Sequence, residues 1–178
     1  AGSGTPGVVS LSVPTDLFED VVPAGSDDPA GHLREVRHRK PATVQATVPA
    51  AVLADIRALL GQAQRPVMIL GSGARRDSLQ NDAAELVRAL GVPTFTIDQA
   101  RGLVADDGQI CFGYADPLFC RTFRETVAAD LIILVGAAVD FHQCFGREQL
   151  MGRDARVLQI SEDPSLINQC RQSDVAVM

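Results

Sequence analysis

Apolar residues in this chain fall into short, unbroken runs separated by longer stretches with helical periodicity. Val67-Met68-Ile69-Leu70 is apolar at every position and meets Gly71 at once. Leu131-Ile132-Ile133-Leu134-Val135 is the most apolar run and ends at Gly136. Runs of four or five apolar residues bounded by glycine are too short for buried helices and read as strands buried on both faces. Residues 94–97 (TFTI) and 156–160 (RVLQI) extend the set, 110–112 offers a short strand, and 174–177 a last one. A further strand is expected at 8–13 (VVSLSV), with Asp16 capping a short turn that runs to Val22.

Between these runs the period changes. Residues 49–61 predict a helix with Pro49 in its first turn, Leu53, Ile56, Leu59 and Leu60 on one face, and Gly61 as its stop. A second helix is expected after a Ser78 cap, with Leu79, Ala83, Leu86, Val87 and Leu90 inward and Gly91 ending it. Residues 118–129 look helical, and Asp163-Pro164 opens a short helix to about Cys170. Strands without polar alternation, separated by amphipathic helices, predict an α/β fold: a doubly wound, mostly parallel sheet of about six strands with helices on both faces.

Residues 23–49 break the rhythm. Four prolines (Pro23, Pro29, Pro41, Pro49), two glycines and mixed charge make a long connector. The expected organisation is a leading strand segment at 1–22, a connector at 23–48 and the main α/β domain at 49–178. The leading strand would pair with a partner molecule, pack on its own domain, or stay mobile.

Composition adds exclusions. The 178 residues carry a net charge of -6, which argues against a nucleic-acid surface. The basic cluster Arg34, Arg37, His38, Arg39 and Lys40 has no interleaved aromatics and reads as solvated linker. No apolar run is long enough to span a bilayer. The four cysteines form no CxxC pair, so free thiols in a reducing cytoplasm are expected, with no metal site.

In a sheet of this kind ligands bind beyond the carboxyl ends of the strands. Gly71-Ser72-Gly73-Ala74, Gln99 to Gly102, Gly136 to Asp140, and Ser161-Glu162-Asp163 fall there. The candidate cofactor-binding residues are Gly71, Ser72, Gly73, Arg101, Gly136, Ser161 and Asp163. Glycines after strands admit either a phosphate or a neighbouring backbone. Arg101 can pair with phosphate, and the acids can accept ribose hydroxyls. The dinucleotide fingerprint GxGxxG is incomplete, because Arg76 stands at its third glycine, although Asp98 keeps an NAD-type domain open. Asp163 before Pro164 is also a plain helix cap. No nucleophile elbow or P-loop is present, and no catalytic residue is assigned; His142 is the only histidine near the crevice mouth.

Five stretches resemble one family, in order and spacing. Gly7-Val8-Val9-Ser10-Leu11-Ser12-Val13-Pro14-Thr15-Asp16 resembles GPV-x-L-x-I-P-x-D, the closing strand of a first domain. Arg65 to Ala74, Gly91 to Gly102, Ala129 to Ala137 (ADLIILVGA) and Val157 to Pro164 (VLQISEDP) resemble successive parts of a middle domain. The chain thus resembles the central domain of thiamine-diphosphate-dependent enzymes of the acetolactate synthase-like group. The resemblance implies a homo-oligomeric 2-oxo acid carboligase, lyase or decarboxylase of three α/β domains. Thiamine diphosphate and Mg²⁺ would be held by the first and third domains, which would be the partners missing here. The activating glutamate and the GDG…N motif lie in those domains, so this chain alone is expected to be inactive. Members carry FAD, ADP or nothing in the middle domain. Ala138 replaces an arginine and Ser161 an aspartate, which removes a phosphate partner and a ribose acceptor and weighs against FAD; Arg101 stands where lysine is common. The alternative is a stand-alone adenine-nucleotide-binding or scaffold module.

Overall fold

A computed structural model describes residues 8, 10–18, 47–75 and 80–178. The chain divides into two units, 1–45 and 46–178. In the first unit, the described residues of 8–13 form no strand, and Val8, Leu11 and Val13 are exposed. A 3-10 turn, Thr15–Phe18, follows, and the expected continuation to Val22 lies outside the described residues. A β-ladder needs a partner, and β-branched residues alone do not make one. The connector's prolines and the basic cluster at 34–40 lie outside the described residues.

The second unit holds one sheet of six parallel strands: β1 Pro66–Leu70, β2 Thr94–Thr96, β3 Cys111–Tyr114, β4 Leu131–Val135, β5 Arg156–Ile160 and β6 Val175–Val177. Their spatial order is β3-β2-β1-β4-β5-β6, and every pairing is parallel. The order reverses between β1 and β4, which pair in full register from Pro66 with Leu131 to Leu70 with Val135. That reversal opens a crevice at the carboxyl ends of the two central strands.

Because side chains alternate along a strand, an all-apolar strand feeds two cores. Met68, Leu70, Leu131, Ile133 and Leu158 join Leu59, Val87 and Val92 on one face. Val67, Ile69, Ile132, Leu134 and Val157 join Phe95, Phe123, Leu150 and Met151 on the other. Each fully buried Val, Leu or Ile contributes about 1.5–3 kcal/mol.

Two α-helices cover the first face. Helix α1 is Ala50–Gln62, with Pro49 at its N-cap. It buries Leu59 and half-buries Ile56 and Leu60, whereas Leu53 stays exposed. Gly61 does not stop it; the helix runs to Gln62, and the extended Ala63 closes it with an amide bonded to the Leu59 and Leu60 carbonyls. Helix α2, Gln80–Leu90, buries Ala83 and Val87, leaves Leu86 partly exposed and ends at Gly91 with φ +60°. Ser78 and Leu79 lie outside the described residues.

The second face is covered differently. The helix expected at 118–129 is a 3-10 run, Arg121–Ala128, burying Phe123 and Thr126. A 3-10 segment Phe141–Gly146 and the loop to Ala155 complete the cover. The helix expected to reach Cys170 is one 3-10 turn, Pro164–Leu166, after which Asn168 takes φ +59° and breaks any continuation.

Candidate functional site

All six strands run the same way, so the predicted segments do come together. The loops after β2, β1, β4 and β5 follow one another along the carboxyl edge of the sheet. At its centre, the Gly71 amide donates to the Val135 carbonyl at 2.9 Å and the Gly73 amide to Gly136 at 3.0 Å. Ala74 N–H returns to the Gly71 carbonyl at 2.9 Å, and Gly136 N–H reaches Ile160 at 2.7 Å. The amides of Gly71, Gly73 and Gly136 are therefore taken by neighbouring strands and loops, and that of Ala74 by its own loop. A Cβ on Gly71 would lie 2.5 Å from Ala137 Cα, and one on Gly73 2.8 Å from Gly136 Cα. The loops have glycine because neighbouring backbone occupies the space a side chain needs.

The other candidates are also engaged within the chain. Ser72 opens a 3-10 turn, Ser72–Arg75, and is exposed. Arg101 donates to Thr96 Oγ1 at 2.9 Å, pairs with Asp106 and lies over the Tyr114 ring, 5.8 Å from its centroid. Its side chain is 40% exposed, so one side of the guanidinium still faces solvent. Ser161 is buried, and its hydroxyl exchanges hydrogen bonds with the Asp163 backbone at 3.1 Å in both directions. Asp163 caps the Pro164–Leu166 turn, accepting from Ser165 Oγ at 2.7 Å and Ser165 N–H at 2.9 Å. Those two bonds, the side-chain one first, hold its carboxyl below the usual carboxylate range.

Sequence reasoning missed three contributors. Arg75 reaches across the crevice to the Gln99 carbonyl at 2.9 Å. Gln159, fully buried in β5, donates to the Leu166 carbonyl at 2.8 Å and accepts from Ser173 Oγ at 3.0 Å. A lone polar residue inside an apolar strand was its signal. Gln143 is buried too: its amide donates to the Ala115 carbonyl at 3.3 Å, while its oxygen accepts the Asp140 N–H at 3.2 Å. Asp140 accepts in return from His142 N–H at 2.9 Å, closing a capping box around the turn. That turn holds Cys144 and Phe145 at φ 49° and 54°.

His142 does lie by the crevice. Its Nδ1 is 3.1 Å from Asp140 Oδ1, its Nε2 3.8 Å from Asp116 Oδ2, and its ring meets Tyr114 edge-on at 5.9 Å. No nucleophile stands beside it in these contacts. All four cysteines are free, and burial pushes the Cys111 thiol up to about 11. Among the described residues no group of three His, Cys, Asp or Glu is placed to hold a metal ion, and no helix is long and apolar enough to cross a membrane.

Comparison with known proteins agrees with this geometry. The family described as "Thiamine pyrophosphate enzyme, central domain" matches residues 53–178. The 2-hydroxyacyl-CoA lyase 1 of Dictyostelium discoideum is 24% identical over 97% of this chain and 28% of its own length. Oxalyl-CoA decarboxylase of Escherichia coli K12 is 26% identical, covering 99% of this chain and 29% of its own. The acetolactate synthase large subunit of Parasynechococcus marenigrum is 28% identical over 100% of this chain and 28% of its own. The chain thus spans under a third of these relatives. A solved structure from Mycobacterium smegmatis, assigned as a thiamin diphosphate-dependent enzyme, shares the fold over 77% of this chain and 28% of that one, with a TM-score of 0.58 and 21% identity.

Proposed function

The chain belongs to the family of thiamine pyrophosphate enzyme central domains, and on that premise we propose that it is the structural middle domain of a larger 2-oxo acid carboligase, lyase or decarboxylase and performs no chemistry alone. The domain division at 1–22, 23–48 and 49–178 is part of this reading, as is a homo-oligomeric parent. Thiamine diphosphate with Mg²⁺ would supply the carbanion chemistry in the parent. The residues of this chain would set the spacing of the flanking domains and keep the central sheet rigid.

One observation carries the structural role over a nucleotide-binding one. The amides of Gly71, Gly73, Ala74 and Gly136 are taken by carbonyls of β4, β5 and their own loop. Ser161 and Asp163 are likewise satisfied by each other and by Ser165. The chain's residues do not fit a phosphate cradle at Gly71 and Gly73, where neighbouring backbone fills the space.

Titration calorimetry with FAD, ADP and NAD is the test. No heat with any of the three is expected. Micromolar binding of one of them, weakened by Arg101→Ala, would replace the purely structural role with a nucleotide-holding one. A companion assay checks the chemistry: purified chain with thiamine diphosphate, Mg²⁺ and pyruvate is expected to release no carbon dioxide above background.

A further inference from the structure

An apolar concavity lies at the opposite end of the sheet from the crevice. A cavity of about 400 Å³ opens at the amino ends of β1, β2 and β3, under the 121–128 run. Its floor is Val67, Phe95 and Ala129, all buried, with half-buried Phe112 as a wall. Buried Thr126 also lines it but offers no polar group, because its hydroxyl is spent on the Phe123 and Leu150 carbonyls at 2.7 and 3.0 Å. The 3-10 run Arg121–Ala128 overhangs the opening, with Thr122, Glu125, Thr126 and Ala128 in its lining.

The lip is charged. Arg65 lines the cavity and is exposed; its charge acts on the neighbouring Asp130 carboxylate, but its guanidinium makes no hydrogen bond and no ion pair within 4 Å among the described residues. Its main chain is fixed, since the Asp130 carboxylate accepts the Gln64 N–H at 2.7 Å and the Arg65 N–H at 2.9 Å. The cation is thus anchored at the rim of an apolar chamber whose volume falls in the range of small-molecule sites, roughly 300–1,000 Å³. Glu125, also on the lip, disfavours a second negative charge on the occupant.

We propose that this cavity binds a small apolar monocarboxylate, its ring or branched chain on Phe95 and Phe112 and its carboxylate on Arg65. A guanidinium offers a carboxylate two parallel N–H donors, a match that an alcohol or an amine lacks. The site is independent of the middle-domain reading and of the carboxyl-end crevice.

Phenylacetate, 2-phenylethanol and phenethylamine are the probes, measured by calorimetry and ligand-observed NMR on the chain. Phenylacetate is expected to bind at least tenfold more tightly than the other two. Arg65→Gln should bring phenylacetate down to the alcohol's affinity and leave the alcohol unchanged. Ala128→Trp and Thr122→Trp, which plug the cavity from exposed lip positions, should each abolish binding, with thermal melts showing that the variants fold. Equal affinity for all three probes, tighter binding of the amine, or indifference to Arg65→Gln would overturn the proposal. So would a concentration-dependent mass increase in light scattering that Ala128→Trp removes, which would assign the cavity to a second copy of the chain.

Discussion

The Gly73 amide meets the Gly136 carbonyl at 3.0 Å, and the two glycines approach so closely that a Cβ on Gly136 would lie 2.6 Å from Gly73 Cα. Gly136 also holds φ +57°, which an L side chain rarely adopts. Gly91 has a similar φ of +60° with nothing within 4 Å of its absent Cβ. The pair separates conformation from crowding. Gly91→Ala is expected to cost about 1 kcal/mol, and Gly136→Ala about 3 kcal/mol or more. Urea unfolding of the two variants measures the difference; equal losses would mean the loops yield without penalty.

Arg171 is the second target. Its guanidinium donates to the carbonyls of Gly146, Met151, Gly152, Arg153 and Ala155, the last at 2.6 Å. Arg171→Met is expected to cost about 2 kcal/mol. Arg171→Lys should recover little, because an ammonium cannot spread its donors across a plane. Hydrogen exchange should rise in residues 146–155 and stay unchanged in β1.

Asp130 gives a pH signature. The Gln64 N–H first, then the Arg65 N–H, hold its carboxyl below the ordinary 3.8. A depressed folded value means the carboxylate stabilises the fold above the unfolded value and loses that contribution as pH falls through the folded one. The gap in urea midpoint between the native chain and Asp130→Asn should therefore be full at pH 7 and close in strong acid. A gap that widens in acid would reverse the sign. The group faces solvent, so the gap is small.

Thiol chemistry orders the cysteines. Burial raises Cys111 to about 11, and Cys170 is exposed. Only about one part in a thousand of Cys111 is thiolate at pH 8. Alkylation with iodoacetamide at that pH, followed by mass mapping, should label Cys170 first and Cys111 last.

The strands were legible because each apolar run serves two cores at once: Met68 and Ile69 leave opposite faces of β1, so neither position can be polar. The helices on the first face were legible through Leu59, Val87 and Gly91. The second face was not. Phe123 and Thr126 have helical spacing, yet Thr126 turns its hydroxyl to Phe123 and Leu150 and settles into a 3-10 run. Gly61 failed as a stop because a glycine within a helix is tolerated where nothing crowds it. The apolar residues of 8–13 read as a strand, but a ladder partner is not written in a local pattern. At the crevice the sequence could place the loops at the strand ends but not their use, since a glycine that admits phosphate and one that admits backbone are the same letter.

Arg171 ties residues 146–155 into shape from a position sixteen or more residues further along the chain (171 − 155). During synthesis the segment emerges before its fastener does. For that interval the carbonyls of Gly152 and Ala155 lack their guanidinium, and water must serve them. The order of events is thus set by chain direction: β1, β2 and β4 can assemble on the face lined by α1 and α2 while the opposite face is still unfastened. A chain that ends just short of residue 171 would leave the carbonyls of residues 146–155 without this fastener.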